Sequence, residues 1–225
     1  MKILRSLMSV GLLASILIFP FKVEAQTITG QRIGHANSVI SMTASNGYLY
    51  VVTEDNKLWL RPAEPYDINW QHIGHANNVT ALAAVDRKLY VATRDNKLWT
   101  RPTVRHEVDW TYIGHANGIV AMAGANGKLF AATRDNKLWV RDAVNQNLNW
   151  QHIGHANNLR AMGAYEGALV GVDESGTIWI RKPVPFNTNW RSIGTARNTV
   201  GIASLRGDIF YVNGTDNSLS MFDLE

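Results

Sequence analysis

The sequence predicts an all-β protein, a five-bladed β-propeller with four antiparallel strands in each blade. The first observation is a repeat of 40 residues without drift, in which the pair Ile-Gly begins a similar phrase five times. The second is that every repeat holds short strand-like segments separated by turn residues. Repeats near forty residues with four strands each are typical of propeller blades. The phrase begins at Ile33, Ile73, Ile113, Ile153 and Ile193.

The N-terminal segment, residues 1–25, is expected to be a signal peptide that is removed on export. Lys2 and Arg5 give it a positive start, an apolar run follows at 7–19, and Val-Glu-Ala at 23–25 resembles a signal-peptidase site. Because the apolar run is only 13 residues long, it is too short to span a bilayer as a helix. We therefore expect no stable membrane anchor, and a single propeller domain at residues 26–225 in a secreted or periplasmic protein.

The second repeat shows the strand-like segments best. It reads NNVTALAAVD, RKLYVATRDN and KLWTRP, and after a variable stretch it ends in DWTYIGHA. β-Branched and aromatic residues fill each segment, and Asn, Asp or Gly stands between them, which is typical of strands joined by turns. Four strands per repeat follow from this reading.

The two ends of the chain are expected to complete one blade together. The last repeat stops at its third strand, SLSMFDLE, whereas residues 27–35 align with a fourth strand that has no partners before it. Pairing of these segments would close the ring and remove exposed sheet edges. A solenoid, the main structural alternative, needs terminal caps with a polar outer face, and the sequence shows none.

The absence of cysteine and the small net charge restrict the classes of protein to which the chain can belong. The chain has no cysteine, so its stability must come from packing without disulfides, which suits an exported bacterial protein. Its net charge of +4 is small, and the basic residues are spread evenly, so we expect no nucleic-acid partner.

Three repeats carry one set of four residues at the same spacing: His35, Thr53, Asp55 and Trp59; His75, Thr93, Asp95 and Trp99; and His115, Thr133, Asp135 and Trp139. This set resembles the WD-repeat pattern, in which a His, a hydroxyl residue, an Asp and a Trp form an internal hydrogen-bonded chain. We expect this buried chain in the three repeats, although the phrase Leu-Trp-x-Arg departs from the usual pattern. Val172 replaces the Thr in the fourth repeat, and Thr195 replaces the His in the fifth.

Metal binding and catalysis are both disfavoured by the repetition. Copies of a His forty residues apart do not form one cluster of mixed ligands, so we expect no metal and no cofactor. Active sites combine unlike groups in one place, and here every polar feature recurs except His106, which stands in a variable stretch. We therefore expect no enzymatic activity.

The candidate binding residues recur on both sides of the variable stretch between the third and fourth strand-like segments of each repeat. Each of four Trp residues follows an Asn or Asp, and an Arg stands two residues after the Trp of the third strand, on the same sheet face. A Trp ring stacks on the apolar face of a sugar, while amide, carboxylate and guanidinium groups bind its hydroxyls. The alternative is that these Trp residues pack between blades. The candidates are Trp70, Trp110, Trp150, Trp190, Arg61, Arg101, Arg141, Arg181, Asn69, Asp109, Asn149 and Asn189.

The order W-x-x-I-G, an alternating strand, Gly-Lys-Leu-Tyr/Phe and Asp-Asn-x-Leu-Trp-x-Arg resembles the tectonin and tachylectin-type propeller lectins. The phrase GTDNSLSMF at 214–222 is similar to one in bacterial fucose-binding propeller lectins. The resemblance covers residues 26–225 and implies a soluble sugar-binding protein with sites between adjacent blades. It extends to the Trp and Arg positions above and to the Asp-Asn turns, which tight β-turns explain equally well.

The sequence thus favours a secreted, multivalent, non-enzymatic carbohydrate-binding protein whose partners are glycans or glycoconjugates. The alternative is a protein-interaction scaffold of the WD-repeat kind. Near-identity of the second and third repeats favours the lectin, because a scaffold usually varies its loops to make one unique patch. Ser220 replaces a Trp in the closing blade, so we expect the cleft there to bind weakly or not at all.

Overall fold

The computed structural model describes residues 27–223, which form twenty β-strands and no α-helix. The predicted signal peptide lies outside the described residues. No helix that could cross a membrane occurs within residues 27–223. The strands are β1 (Gln31–His35), β2 (Val39–Ser45), β3 (Tyr48–Thr53), β4 (Lys57–Pro62), β5 (Gln71–His75), β6 (Val79–Val85), β7 (Lys88–Thr93), β8 (Lys97–Pro102), β9 (Thr111–His115), β10 (Ile119–Ala125), β11 (Lys128–Thr133), β12 (Lys137–Asp142), β13 (Gln151–His155), β14 (Leu159–Tyr165), β15 (Ala168–Asp173), β16 (Thr177–Arg181), β17 (Arg191–Thr195), β18 (Thr199–Leu205), β19 (Asp208–Asn213) and β20 (Ser218–Asp223).

The strands form five antiparallel four-stranded sheets, which are the blades of the predicted propeller. Blade 1 is β2–β5, blade 2 is β6–β9, blade 3 is β10–β13 and blade 4 is β14–β17. The first strand of each blade packs against the first strands of both neighbouring blades, so these five strands form the inner wall of the ring. The fold class is confirmed.

Blade 5 closes the ring as expected. It contains β18, β19 and β20 from the end of the chain and β1 from its beginning. β1 pairs with β20 in antiparallel register, from Gln31 opposite Met221 to His35 opposite Ser218. The edge of β20 that the C-terminal strands alone would leave exposed is therefore paired with β1.

The Asp-Asn turns of blades 1, 2, 3 and 5 fasten each of these blades to the next one. Asn56 has a φ of 62°, a left-handed conformation that Asn tolerates better than most residues. Its carbonyl accepts a hydrogen bond from the N–H of Ala76 at 2.8 Å, and its side-chain oxygen accepts one from the N–H of Asn78 at 2.9 Å. Residues 76–78 lead from blade 1 into blade 2, so this Asn fixes the path between blades.

The core lies between facing sheets. One cluster joins Tyr50, Leu58 and Ile73 of blade 1 to Leu89 and Val91 of blade 2, and similar clusters fill the other interfaces. Burial of such apolar surface is the main stabilising contribution available to a chain without disulfides. The clefts considered next lie at the outer parts of these interfaces.

Candidate functional site

Four of the five clefts between blades are bridged by a tryptophan. We name a cleft by its two blades, so cleft 5/1 lies between blades 5 and 1. Trp70, just before β5, donates its indole N–H to the backbone carbonyl of His35 in β1 at 2.7 Å. The same bond recurs in clefts 1/2, 2/3 and 3/4 at 2.7 to 2.8 Å. The other three pairs are Trp110 with His75, Trp150 with His115, and Trp190 with His155.

The four bridging tryptophans are half-buried, and an exposed residue precedes each of them. Those exposed residues are the predicted Asn69, Asp109, Asn149 and Asn189. The structure therefore brings the predicted Trp and Asn or Asp positions together at the cleft. Each Trp is compatible with both alternatives, ligand contact and packing between blades. It packs between two blades, and part of its ring remains exposed to solvent.

The four predicted arginines take a different role from direct ligand contact. Arg101 is 2% exposed, and its guanidinium group donates to the carbonyl of His106 at 2.8 Å and that of Ile73 at 3.4 Å. Its guanidinium carbon also lies 5.6 Å from the centre of the Trp110 ring. Arg61, Arg141 and Arg181 are buried in the same way, each beneath its own Trp.

These arginines hold the variable loop in place. In blade 1 the guanidinium of Arg61 donates to the carbonyls of Glu64 and Tyr66 in the loop and to that of Ile33 in blade 5. Burial lowers the pKa of Arg61, and the nearby carboxylate of Asp67 opposes this effect. We assign these guanidinium groups to loop support beneath the Trp, because burial leaves them no surface for a ligand.

The glycine of the Ile-Gly-His phrase gives the neighbouring loop room to pack. Gly34 has a φ of 145°, which disfavours other residues. A Cβ at this position would lie 2.6 Å from the side-chain oxygen of Asp67, which belongs to the loop of blade 1. The equivalent Gly74 has a φ of 132° and faces the Glu107 side chain in the same manner.

The predicted buried His-Thr-Asp-Trp chain is wrong in its first member and in its burial, since the carboxylates of Asp55, Asp95 and Asp135 are exposed. The Trp59 indole N–H donates to the Thr53 hydroxyl at 3.2 Å, and that hydroxyl donates to Asp55 at 2.6 Å. His35 lies outside this chain, on the surface, beside Arg32. His75, His115 and His155 are exposed as well. The part of each His that contributes to the contact between blades is its backbone carbonyl, which accepts the indole N–H of the bridging Trp.

The assignment of Val172 to the Thr position of the fourth repeat is also wrong. Leu159 pairs with Asp173 in the register in which Val39 pairs with Thr53, so Asp173 is the equivalent residue. Its carboxylate accepts the Trp179 indole N–H at 2.8 Å. An acidic acceptor thus replaces the hydroxyl, and the Trp of this blade keeps a partner.

The clefts contain similar cavities. Cavities of about 830, 600 and 240 Å³ lie in clefts 2/3, 5/1 and 1/2 respectively. Each is bounded by the connection between blades, the Thr and Asp of the following turn, the Trp of the third strand and the bridging Trp. In cleft 2/3 the wall also includes Asn149. The Trp pairs are Trp139 with Trp150, Trp59 with Trp70, and Trp99 with Trp110.

The aspartates in these cavities are held ionised. The ammonium group of Lys57 and the hydroxyl of Thr53 both donate to Asp55 and lower its pKa to about 2. Lys97 and Lys137 lower the pKa of Asp95 and Asp135 in the same way. Each cavity therefore offers a carboxylate that accepts hydrogen bonds at neutral pH.

This arrangement predicts a loss of stability in acid. A carboxyl group whose pKa is lowered by folding stabilises the folded state above its unfolded value, about 4, and the gain is lost as pH falls toward the folded value. We expect the urea midpoint to fall between about pH 4 and pH 2. In Asp55→Asn the decline should be shallower; an equally steep decline in that variant would contradict a role for Asp55.

Cleft 4/5 has no bridging Trp. The equivalent of Trp70 is Gly30, and the backbone N–H of Ile28 donates to the carbonyl of Thr195 at 3.0 Å in place of an indole. The ring of Tyr211 lies against Gly30, and its hydroxyl accepts from the Gly30 N–H at 3.3 Å. The closing blade thus bridges cleft 4/5 with a backbone hydrogen bond, where each of the other four clefts is bridged by an indole N–H.

No group of three or more His, Cys, Asp or Glu side chains that could hold a metal occurs within the part of the chain that the structure describes. His106 is exposed, and its carbonyl accepts from Arg101. The expectation that the chain is not an enzyme remains a prediction.

Comparison with known proteins supports the fold. No protein-family model and no curated protein sequence matches the chain. The structure is similar to glutaminyl cyclase of Myxococcus xanthus, with 15% identity over 89% of this chain and 97% of that one and a TM-score of 0.60.

Two further structures are similar at comparable identity. A chain of a nidogen/laminin complex has 14% identity over 84% of this chain and 77% of that one, with a TM-score of 0.57. PorZ, a component of the type-IX secretion system of Porphyromonas gingivalis, has 11% identity over 84% of this chain and 25% of that one, with a TM-score of 0.50. These proteins include an enzyme and differ in role, so the likeness concerns the fold alone: the chain is a five-bladed β-propeller.

Proposed function

We propose that the protein is a secreted or periplasmic lectin that binds glycans in the clefts between its blades. The observation that supports this most is the threefold recurrence of one cavity with the same constituents. Each cavity has two half-buried tryptophans and an ionised aspartate. Aromatic faces beside directional acceptors are the combination that a pyranose ring, apolar on its C–H faces and polar at its rim, requires.

Repetition supports a multivalent mode of binding. A single small saccharide makes few contacts, so each cleft by itself is expected to bind weakly. Several equivalent clefts on one rigid ring raise the avidity for a surface that presents many glycans by about 10² to 10⁴. The Trp-free cleft 4/5 is not part of this proposal, so the proposed number of sites is at most four.

A glycan array with the chain lacking residues 1–25 tests the proposal. We expect binding to a restricted group of glycans, strongest where they are densely displayed. The alternative function is a scaffold that binds another protein through the ring surface. Absence of binding to every glycan, together with a stoichiometric protein partner, would favour the scaffold and refute the lectin.

A point substitution tests the location of the sites. Asn149 is exposed and lines the cavity of cleft 2/3, so in Asn149→Ala we expect one site fewer by calorimetric titration. The melting temperature should stay the same, because exposed substitutions of this kind change stability by no more than about 0.5 kcal/mol. Gln146→Ala, exposed on the same loop but outside the cavity wall, is the matched control. Equal binding by both variants would contradict a site in this cleft.

A further inference from the structure

The clefts differ in charge at one position. The residue after the Thr of each second strand opens the turn at the cavity mouth, and we call it the rim residue. Glu54 lines the cavity of cleft 5/1, whereas Arg134 lines that of cleft 2/3. Arg94 holds the equivalent position in blade 2 but is not part of the cavity wall of cleft 1/2. The rim residue is thus acidic in the cavity of cleft 5/1 and basic in that of cleft 2/3, while both cavities share the Thr, the Asp and the two Trp residues.

The guanidinium group of Arg134 is free to meet a ligand. It is exposed and forms no ion pair within residues 27–223. The adjacent Asp135 is instead bound by Lys137 at 2.6 Å and by the hydroxyl of Thr133 at 2.6 Å. Arg134 therefore contributes a positive charge to cleft 2/3 that no neighbouring side chain neutralises by contact.

The variable loops strengthen the difference. The loop at 144–149 that borders cleft 2/3 contains no carboxylate, whereas the blade 1 loop carries Glu64 and Asp67. The blade 2 loop carries Glu107 and Asp109 with only Arg105 to offset them. An anionic group would therefore meet less repulsion in cleft 2/3 than in cleft 5/1 or cleft 1/2. Cleft 2/3 is also the largest of the three, at about 830 Å³.

A second arginine extends the same surface. Arg134 also borders a depression of about 540 Å³ whose wall includes Arg160, Val120 and Glu174. A saccharide of more than one unit that leaves cleft 2/3 past Arg134 would thus reach Arg160. The carboxylate of Glu174 partly offsets this charge, so Arg134 is the stronger determinant.

We propose that cleft 2/3 is selective for acidic saccharides, with Arg134 binding the anionic group, while cleft 5/1 with Glu54 takes neutral ones. This inference rests on the proposed lectin function. An arginine binds a carboxylate or a sulfate through two parallel N–H donors, so uronic acids and sulfated sugars share the required chemistry. A carboxylate facing Glu54 would instead be repelled.

Charge exchange between the two rim positions tests the inference. The probes are tetrasaccharides of galacturonic acid, of sulfated galactose and of neutral galactose, titrated by calorimetry. We expect Arg134→Glu to weaken binding of an acidic probe about tenfold at one site and to leave the neutral probe unchanged. Glu54→Arg should add a site for the acidic probe. The difference between the two acidic probes tells carboxylate from sulfate preference.

The control is Arg206→Glu, which makes the same change in net charge at an exposed turn between β18 and β19, remote from the cavity walls described above. A loss in this control as large as that in Arg134→Glu would overturn the assignment to the rim. Binding of neutral probes without any binding of acidic ones would overturn the inference while the lectin function stands. Failure of all probes and of the glycan array would refute the lectin function itself.

Discussion

Replacement of Arg101 by Ala is expected to lower the free energy of unfolding by about 3 kcal/mol, since it leaves buried carbonyls without donors and removes the support of Trp110. The carbonyls of His106 and Ile73 lose their partners together, so both the loop of blade 2 and its contact with blade 1 weaken. Urea unfolding at constant m-value measures the effect.

The control for this variant is Arg94→Ala, because Arg94 is exposed in the turn between β7 and β8 of the same blade. Its unfolding free energy should change by no more than about 0.5 kcal/mol. Arg101→Lys should recover only part of the loss, because an ammonium group cannot span carbonyls on two sides as a guanidinium does. Equal midpoints for Arg101→Ala and Arg94→Ala would show that the buried guanidinium does not support the loop.

Replacement of Trp110 by Ala is expected to cost about 2 to 3 kcal/mol of stability and to abolish glycan binding in cleft 1/2. The Trp110 ring packs against the core between blades 1 and 2, and its N–H bridges the cleft to His75. Thermal unfolding and the number of sites by titration report the two effects separately.

Trp110→Phe separates the ring from its hydrogen bond. It keeps an aromatic face but loses the N–H, so we expect a stability loss of about 1 kcal/mol and partial retention of binding. The side chain of His106 is exposed on the same loop, and His106→Ala should leave both quantities unchanged. If Trp110→Ala has the melting temperature of the wild type and binds glycans at the same number of sites, Trp110 neither stabilises the contact between blades nor contacts a ligand.

The ring and its closure could be predicted because they depend on a pattern that repeats. A strict 40-residue period indicates the number of blades, and complementary ends indicate the shared blade. The same comparison of the repeats also predicted that the exposed Asn or Asp and the Trp that follows it lie at the clefts. Local periodicity specifies which residues share a sheet face, so these parts needed no information about contacts between blades.

The burial of the arginines could not be read from face parity, because parity does not say whether a face meets solvent or a neighbouring loop. A usable signal was nevertheless present. In four repeats an Arg precedes a Trp by the same nine-residue interval, as in Arg61 with Trp70, and in the closing blade both are missing, with Phe222 and Gly30 in their places. Joint presence and joint absence indicate that the two side chains work together.

The prediction for the histidines failed for a related reason. A recurring His suggests a role for its imidazole. In the propeller, however, the contact between blades is made by its backbone carbonyl, a group that every residue has. Only the geometry of the neighbouring blade shows that the chain at His35 and His75 must accept an indole N–H. Sequence comparison between repeats cannot separate a required side chain from a required backbone position.

The bridging contacts all run in one direction around the ring. In blades 1 to 4 an indole N–H donates to a backbone carbonyl of the blade before, as Trp150 does to His115. Arg61 and Arg101 add a guanidinium donor to the blade before. Blades 1 to 3 thus each carry an indole donor toward the blade before and a carbonyl acceptor for the indole of the blade after. A duplicate of one of these three units would bring both halves of the contact with it, so copying of such a unit in the gene is expected to preserve the indole bonds on both of its sides.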